Sequence, residues 1–198
     1  MSYNLGHHPG AVWRKTDLQI HTPRDPNWTG EAPVDDAGRK AWADAFVVEC
    51  LKRGLGAIAI TDHHDVVMAS YVQDAINRSD QANGRLWLLP GMEVTCNDSV
   101  QCLVLFDQGT PTETVERLFG GHLLKAKKGD PAQPHAPQAN ICGKDIDEFL
   151  GSVHEDSEFA GIVIVLPHAS KGGHKDTVTG LQTKIKHKIL ILNNLTPI

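Results

Sequence analysis

The sequence predicts an α/β fold with a mainly parallel sheet, and three observations carry that prediction. Short apolar runs alternate with stretches of helical periodicity, which is the pattern of strand–helix–strand units. The apolar runs are bounded by Gly, Pro, Asn and Asp, as buried strands are. Histidines and carboxylates gather where those runs give way to turns. In a parallel sheet the carboxyl ends of the strands share one edge, where ligands bind.

The elements follow in order. Trp13 to Ile20 reads as a first strand, followed by a proline-rich loop from Thr22 to Pro33. Asp35 or Asp36 caps a helix through AGRKAWADAFVVECLKR, whose Trp42, Phe46, Cys50 and Leu51 recur at helical spacing before Gly54 stops it. GAIAI is a second strand, apolar enough to be buried on both faces. Val66 to Asn77 is a second helix, closed off near Asn83-Gly84. LWLLP and VQCLVLF are the third and fourth strands, separated by GMEVTCNDS. Thr110-Pro111-Thr112-Glu113 has the form of a capping box with proline at the first helical position, and predicts a helix to about Phe119. KKGDPAQPHAPQAN is a long loop, Lys144 to Val153 a fourth helix, and GIVIVLPHAS a fifth strand. No internal repeat or low-complexity segment interrupts the series.

Bulk properties narrow the function classes. The 198 residues suit one domain over residues 1–198, and a net charge of -5 gives no global basic footprint for nucleic acid or anionic lipid. A nucleic-acid substrate would need a local patch. No apolar run approaches the roughly 20 residues of a membrane span, and MSYNLGHHPG lacks the regions of a signal peptide, so the expected address is the cytosol, with no membrane partner. Cys50, Cys96, Cys102 and Cys142 show no C-x-x-C spacing and are expected to be buried, reduced thiols.

The histidines carry the chemistry. His21 follows the first strand, Asp62 and His63 the second, and His168 the fifth, while Glu93 lies in the expected turn after the third. Any one of these histidines alone reads as a hydrogen-bonded structural residue. Their shared placement at strand ends points instead to imidazoles and a carboxylate converging on a divalent ion. Asp62 reads equally as a helix cap and as a group that orients a ligand histidine. His64 and Asp65 are expected to face solvent or cap the helix. His7, His8, His122, His135, His154 and His187 have no such context and are expected on the surface.

The motifs DLQIHT, GLGAIAITDHHD, PGMEV and LPHAS, in this order within residues 12–170, resemble those of the polymerase and histidinol phosphatase (PHP) domain family. The resemblance implies a distorted (β/α)7 TIM-like barrel that holds up to three Mn, Zn or Fe ions, with Mg admissible, and hydrolyses phosphoesters. It implies metal ligands at His21, His63, Glu93 as the bridging carboxylate, and His168. Asp25 matches the family's acidic or histidine ligand in the first loop.

Three departures accompany it. The family's first motif is His-x-His, and here Gln19 stands at the first position. Strand alternation puts residues 19 and 21 on one face, so Gln19 points where that ligand would. Gln101 takes the place of a family histidine on the following strand. An amide oxygen is a harder donor than imidazole, and the exchange favours Mn or Mg over Zn. Finally, no closing Asp-x-His occurs between Lys171 and Ile198, where the tail is basic and aliphatic; His174 is a weak substitute. The barrel is therefore expected to be incomplete at its C-terminus. The opening VWRKTDLQIHTP also resembles, more loosely, PHP domains that precede a large ATPase in bacterial proteins, some linked to phage defence. An ATPase module downstream and a nucleotide or nucleic-acid phosphoester as substrate are the partners this implies. The alternative function is a non-catalytic PHP-like module that binds a phosphate ligand or regulates such an ATPase through a degenerate metal site.

Overall fold

A computed structural model of the chain describes residues 14–138 and 140–170, without the side chains of 167–170. It is a mixed α/β structure built on one five-stranded sheet in the order β1-β2-β3-β4-β5. The strands are β1 (Thr16–Ile20), β2 (Ala57–Ile60), β3 (Trp87–Thr95), β4 (Val100–Phe106) and β5 (Val163–Ser170). The helices are α1 (Asp36–Lys52), α2 (Val67–Arg78), the short α3 (Thr112–Glu116) and α4 (Leu118–Gly121), and α5 (Ile146–Glu155).

Pairing is parallel from β1 through β3 and antiparallel from β3 through β5. The mainly parallel sheet is thus corrected to a mixed one. The reason is chain length: only residues 96–99 separate β3 from β4, far short of the dozen or more that a parallel crossover needs. β3 is also longer than predicted. It runs through Pro90, Gly91 and Glu93 to Thr95, so Glu93 lies inside a strand and not in a turn. Among the described residues the sheet stays open, with β1 and β5 as its edges, and the expected (β/α)7 barrel is not found.

Alternation along the strands separates two faces. Leu88, Met92 and Val94 of β3, with Ile58 and Ile60 of β2 and Cys102, Val104 and Phe106 of β4, turn toward the helices. α1 and α2 close one core there, with Ala43, Val47, Val72 and Ile76 against the sheet. α3 to α5 close a second, in which Leu118, Phe149 and Val153 pack on β3, β4 and Phe159. Each large apolar side chain sealed this way contributes about 1.5–3 kcal/mol. The other face is thinly covered: Ala59, Leu103 and Leu105 pack with Leu18 and Leu89, and Ile164 and Leu166 of β5 are exposed.

Local signals explain most helix ends. Asp35 caps α1 by accepting from the Gly38 N–H at 2.6 Å, and Gly54 ends it at φ 69°, a left-handed turn that glycine enters without a Cβ clash. Asp145 and Glu148 form a capping box at α5. The box expected at Thr110 does not form. Pro111 is itself the N-cap, in extended conformation and with no side-chain acceptor, and the helix breaks into α3 and α4. All four cysteines are free and buried, as expected. Among the described residues no helix is long and apolar enough to cross a membrane.

Candidate metal centre

The thinly covered face carries a cluster of polar groups at the carboxyl ends of β1 and β2. The parallel pairing of β2 with β3 continues beyond β2, bringing His63 opposite Glu93 on the same face. Residue 62, one step earlier, alternates toward the opposite face, yet its carboxylate lies within 4.8 Å of donor atoms on His21 and Asp25. A register shift in β1 brings in the rest: Asp17 pairs with Ile58 and Ile20 with Ile60, so Leu18 and Gln19 both fall opposite Ala59. The extra residue turns Gln19, and after it His21, toward Glu93.

The resulting geometry is tight. Asp25 Oδ2 lies 2.7 Å from His63 Nδ1 and 2.8 Å from His21 Nδ1. Glu93 Oε1 lies 3.4 Å from His63 Nε2, and Oε2 lies 3.3 Å from His21 Nε2. The two imidazoles stack with centroids 4.9 Å apart at 12°. Gln19 donates its amide N–H to Glu93 Oε2 at 2.9 Å. The Gln101 amide nitrogen stands 3.2 Å from His63 Nε2 and 3.4 Å from Thr95 Oγ1. Both carboxylates are sealed, at 3% and 2% exposure, while His21 at 30% and His63 at 16% open the cluster to solvent.

Electrostatics follows from this packing. Asp25 and then Glu93 hold a proton on His21 against the effect of burial, raising it to about 10. Burial works against the charge on His63 too, but the same two carboxylates outweigh it and carry the imidazole to about 9. Burial disfavours ionised Asp25 and Glu93, yet the two imidazoles hold both well below the usual carboxylate range. Four charged groups thus balance one another.

The residues fit a divalent ion. His21, His63 and Glu93 each offer a donor atom, all within 4.8 Å of one another, as do His21, Asp25 and Asp62. Two imidazoles with carboxylates are donors that suit Zn, Mn or Fe. The 2.8 Å approach of His21 Nδ1 to Asp25 Oδ2 lacks hydrogen-bond alignment, and that nitrogen has no other hydrogen-bond partner.

Of the residues singled out in the sequence, Gln19, His21, Asp25, His63, Glu93 and Gln101 come together, and the Asp62 carboxylate lies beside His21 and Asp25. Asp62 does not cap the following helix. It is fully buried and accepts from Thr22 N–H and Thr22 Oγ–H, each at 2.6 Å, and burial pushes it up to about 7 against those two donors. It therefore fixes the start of the loop that carries Asp25. The side chain of His168 lies outside the described residues, as do His7, His8, His174, His187 and the tail 171–198.

Other expectations are corrected. His64 and Asp65 are buried, not solvent-facing. His64 takes a left-handed φ of 49°, which swings it away from His63, and its Nε2 accepts from Thr95 N–H at 2.9 Å. Asp65 does accept from Val67 N–H at the start of α2, but it also pairs with the fully buried Arg24 at 2.7 Å. Arg24 donates further to the carbonyls of Asp130 and Gln133, and Ala136 N–H donates back to the Arg24 carbonyl at 2.8 Å. The long loop is thus latched onto the Asp25 loop. No periodicity marks Arg24; its only sequence signal is a lone basic residue between prolines. His122 is buried as well, bound to Asp156 at 2.8 Å and packed on Phe159. His154 is exposed, as expected, and His135 bonds the Pro23 carbonyl.

No protein-family model matches the chain, and no curated protein matches it. Among solved structures it is similar to the crystal structure of a "putative metal-dependent phosphoesterase" from Bifidobacterium adolescentis, with a TM-score of 0.35 and 19% identity over 56% of this chain. The match takes in 34% of the other protein, so this chain spans about a third of that length.

Proposed function

We propose that this centre hydrolyses phosphoesters with a divalent metal ion, as a PHP-type site. The observation that supports it best is the convergence of His21, Asp25, His63 and Glu93 from three separate segments onto one solvent-reaching cluster. Structural ion pairs are usually made from two partners. Here each carboxylate is shared by both imidazoles.

Each group has a role. Asp25 accepts the Nδ1 proton of His63, which fixes the tautomer and leaves Nε2 to face the centre. His63 N–H and Asn27 N–H also bind Asp25, at 3.2 and 2.8 Å, so the carboxylate cannot swing away. His21, His63 and Glu93 would hold the ion. A divalent ion bound there supplies Lewis-acid activation of water and neutralises charge on the phosphoryl oxygens. His21, more exposed than His63, Asp25 and Glu93, lies where a phosphoester would enter. None of Gln19, His21, Asp25, His63, Glu93 and Gln101 is a hydroxyl or thiol nucleophile, so water is the attacking group that the site suits. A nucleotide or nucleic-acid substrate and an ATPase partner rest on the motif resemblance alone.

A second reading is a non-catalytic phosphate-binding or regulatory module, and one observation favours it: the two imidazoles and two carboxylates balance one another in charge. Elemental analysis of the purified chain, with hydrolysis of a generic phosphodiester in the presence and absence of Mn, separates the two. Bound metal and Mn-dependent turnover are expected, and Glu93→Ala is expected to lose both. Full activity in Glu93→Ala would sink the metal reading, and a folded protein with neither metal nor turnover would favour the module, or a site completed by a part this chain lacks.

A further inference from the structure

We infer that this centre is built for a single ion and that Gln19 excludes a second, a stoichiometry that presupposes the metal-dependent reading above. Two donor sets are present among the described residues, His21 with His63 and Glu93, and His21 with Asp25 and Asp62. They share His21. A neutral imidazole has one lone pair to give, its other nitrogen keeping a proton, so His21 serves one set at a time.

The second set is also committed elsewhere. Both Asp62 oxygens accept from Thr22 at 2.6 Å, inside a fully buried environment. Asp25 accepts from Asn27 N–H and from both the ring and the backbone N–H of His63. An ion placed there would have to displace several charge-assisted hydrogen bonds, the strongest kind a carboxylate makes with protein donors.

The remaining route to a second ion is for Glu93 to bridge, giving one oxygen to each. Gln19 stands in that route. Its Nε2 is 2.9 Å from Glu93 Oε2, and chemistry fixes which way the amide faces. Turned over, it would set a carbonyl oxygen against an ionised carboxylate oxygen, acceptor on acceptor. Residue 19 therefore presents a hydrogen to Glu93 and not a lone pair to a cation. Histidine at that position would present the lone pair.

The test is Mn titration of the metal-stripped full chain, with bound Mn counted by elemental analysis and its spin state read by electron paramagnetic resonance. Wild type is expected to saturate at about one Mn per chain with the six-line signal of an isolated ion. Gln19→His is expected to take up a second Mn and show an exchange-coupled spectrum. Should that variant misfold by circular dichroism, Gln19→Glu sets a carboxylate against Glu93 and is expected to draw in the second ion instead. Two coupled ions in wild type, or no second ion in a folded variant, overturns the inference and leaves the proposed function standing. No Mn in wild type overturns both.

Discussion

Loading one divalent ion onto the metal-free protein at pH 7.5 is expected to release about two protons. His21 titrates at about 10 and His63 at about 9. At pH 7.5 the less basic of the two is still protonated by roughly thirty to one. Asp25 and Glu93, held below their usual range, are already ionised and contribute no proton. The metal-free cluster therefore carries two positive and two negative charges. Exchanging two protons for one divalent ion leaves that total unchanged, so binding strands no buried charge. Because the two imidazoles share their carboxylates, the two protons leave as coupled steps of the pair. Calorimetry in buffers of different ionisation enthalpy reads the number directly, as the slope of observed heat against buffer heat. A companion expectation is that the dissociation constant falls roughly a hundredfold per pH unit below about pH 8.5, as a two-proton exchange requires. A slope near zero, or an affinity indifferent to pH, would refute the assignment of His21 and His63 as ligands.

Three further outcomes are expected. Without metal, stability should peak near pH 4.5 to 5: the ionised Asp25 and Glu93 contribute above about pH 4 and lose their contribution as pH falls. The imidazole contribution is complete below about pH 6.5 and disappears as pH rises through 9 to 10, while Asp62, raised to about 7, adds a loss from about pH 4 to 7. Urea midpoints across pH check this, and a flat profile contradicts it. Arg24→Met leaves Asp65 buried beside no guanidinium and should cost ~3–5 kcal/mol of unfolding free energy; a loss below about 1 kcal/mol means that the pair is incidental. Gly91→Ala would place its Cβ 2.3 Å from the Val104 carbonyl oxygen across the hairpin, where neither backbone can yield cheaply, and should cost ~1–3 kcal/mol or more by thermal melting.

How much of this was legible in the sequence depends on the range of the interaction that decides each feature. α1 was readable because Asp35, the apolar spacing and Gly54 all act within a few residues. The gathering of His21 and His63 was readable because the ends of β1 and β2 share an edge; Glu93 joins them from inside β3, where parallel pairing sets it opposite His63. The antiparallel course of β4 departs from the mainly parallel sheet expected, although its cause is local: the four residues between β3 and β4 permit only a hairpin. Proline and glycine at 90 and 91 suggested a turn there, but Gly91 lies in β3 where the strand passes close to Val104. The burial of Arg24, His64 and His122 was not readable, since each is decided by a partner brought in from a distant segment. His122 is satisfied by Asp156, 34 residues on. Residue type alone gives no hint of such a partner.

The latch between Arg24 and the loop at 130–136 has a consequence for how the protein comes into being. Its bonds join residues 106 to 112 positions apart. A ribosome adding about 5–20 residues per second takes on the order of ten seconds to cover that distance. Throughout that interval the segment bearing His21 and Asp25 has emerged, but the carbonyls that fasten it do not yet exist. A metal centre shaped by the Asp25 loop would therefore be fastened only after residue 136 has been made, and not on the exposed N-terminal segment alone.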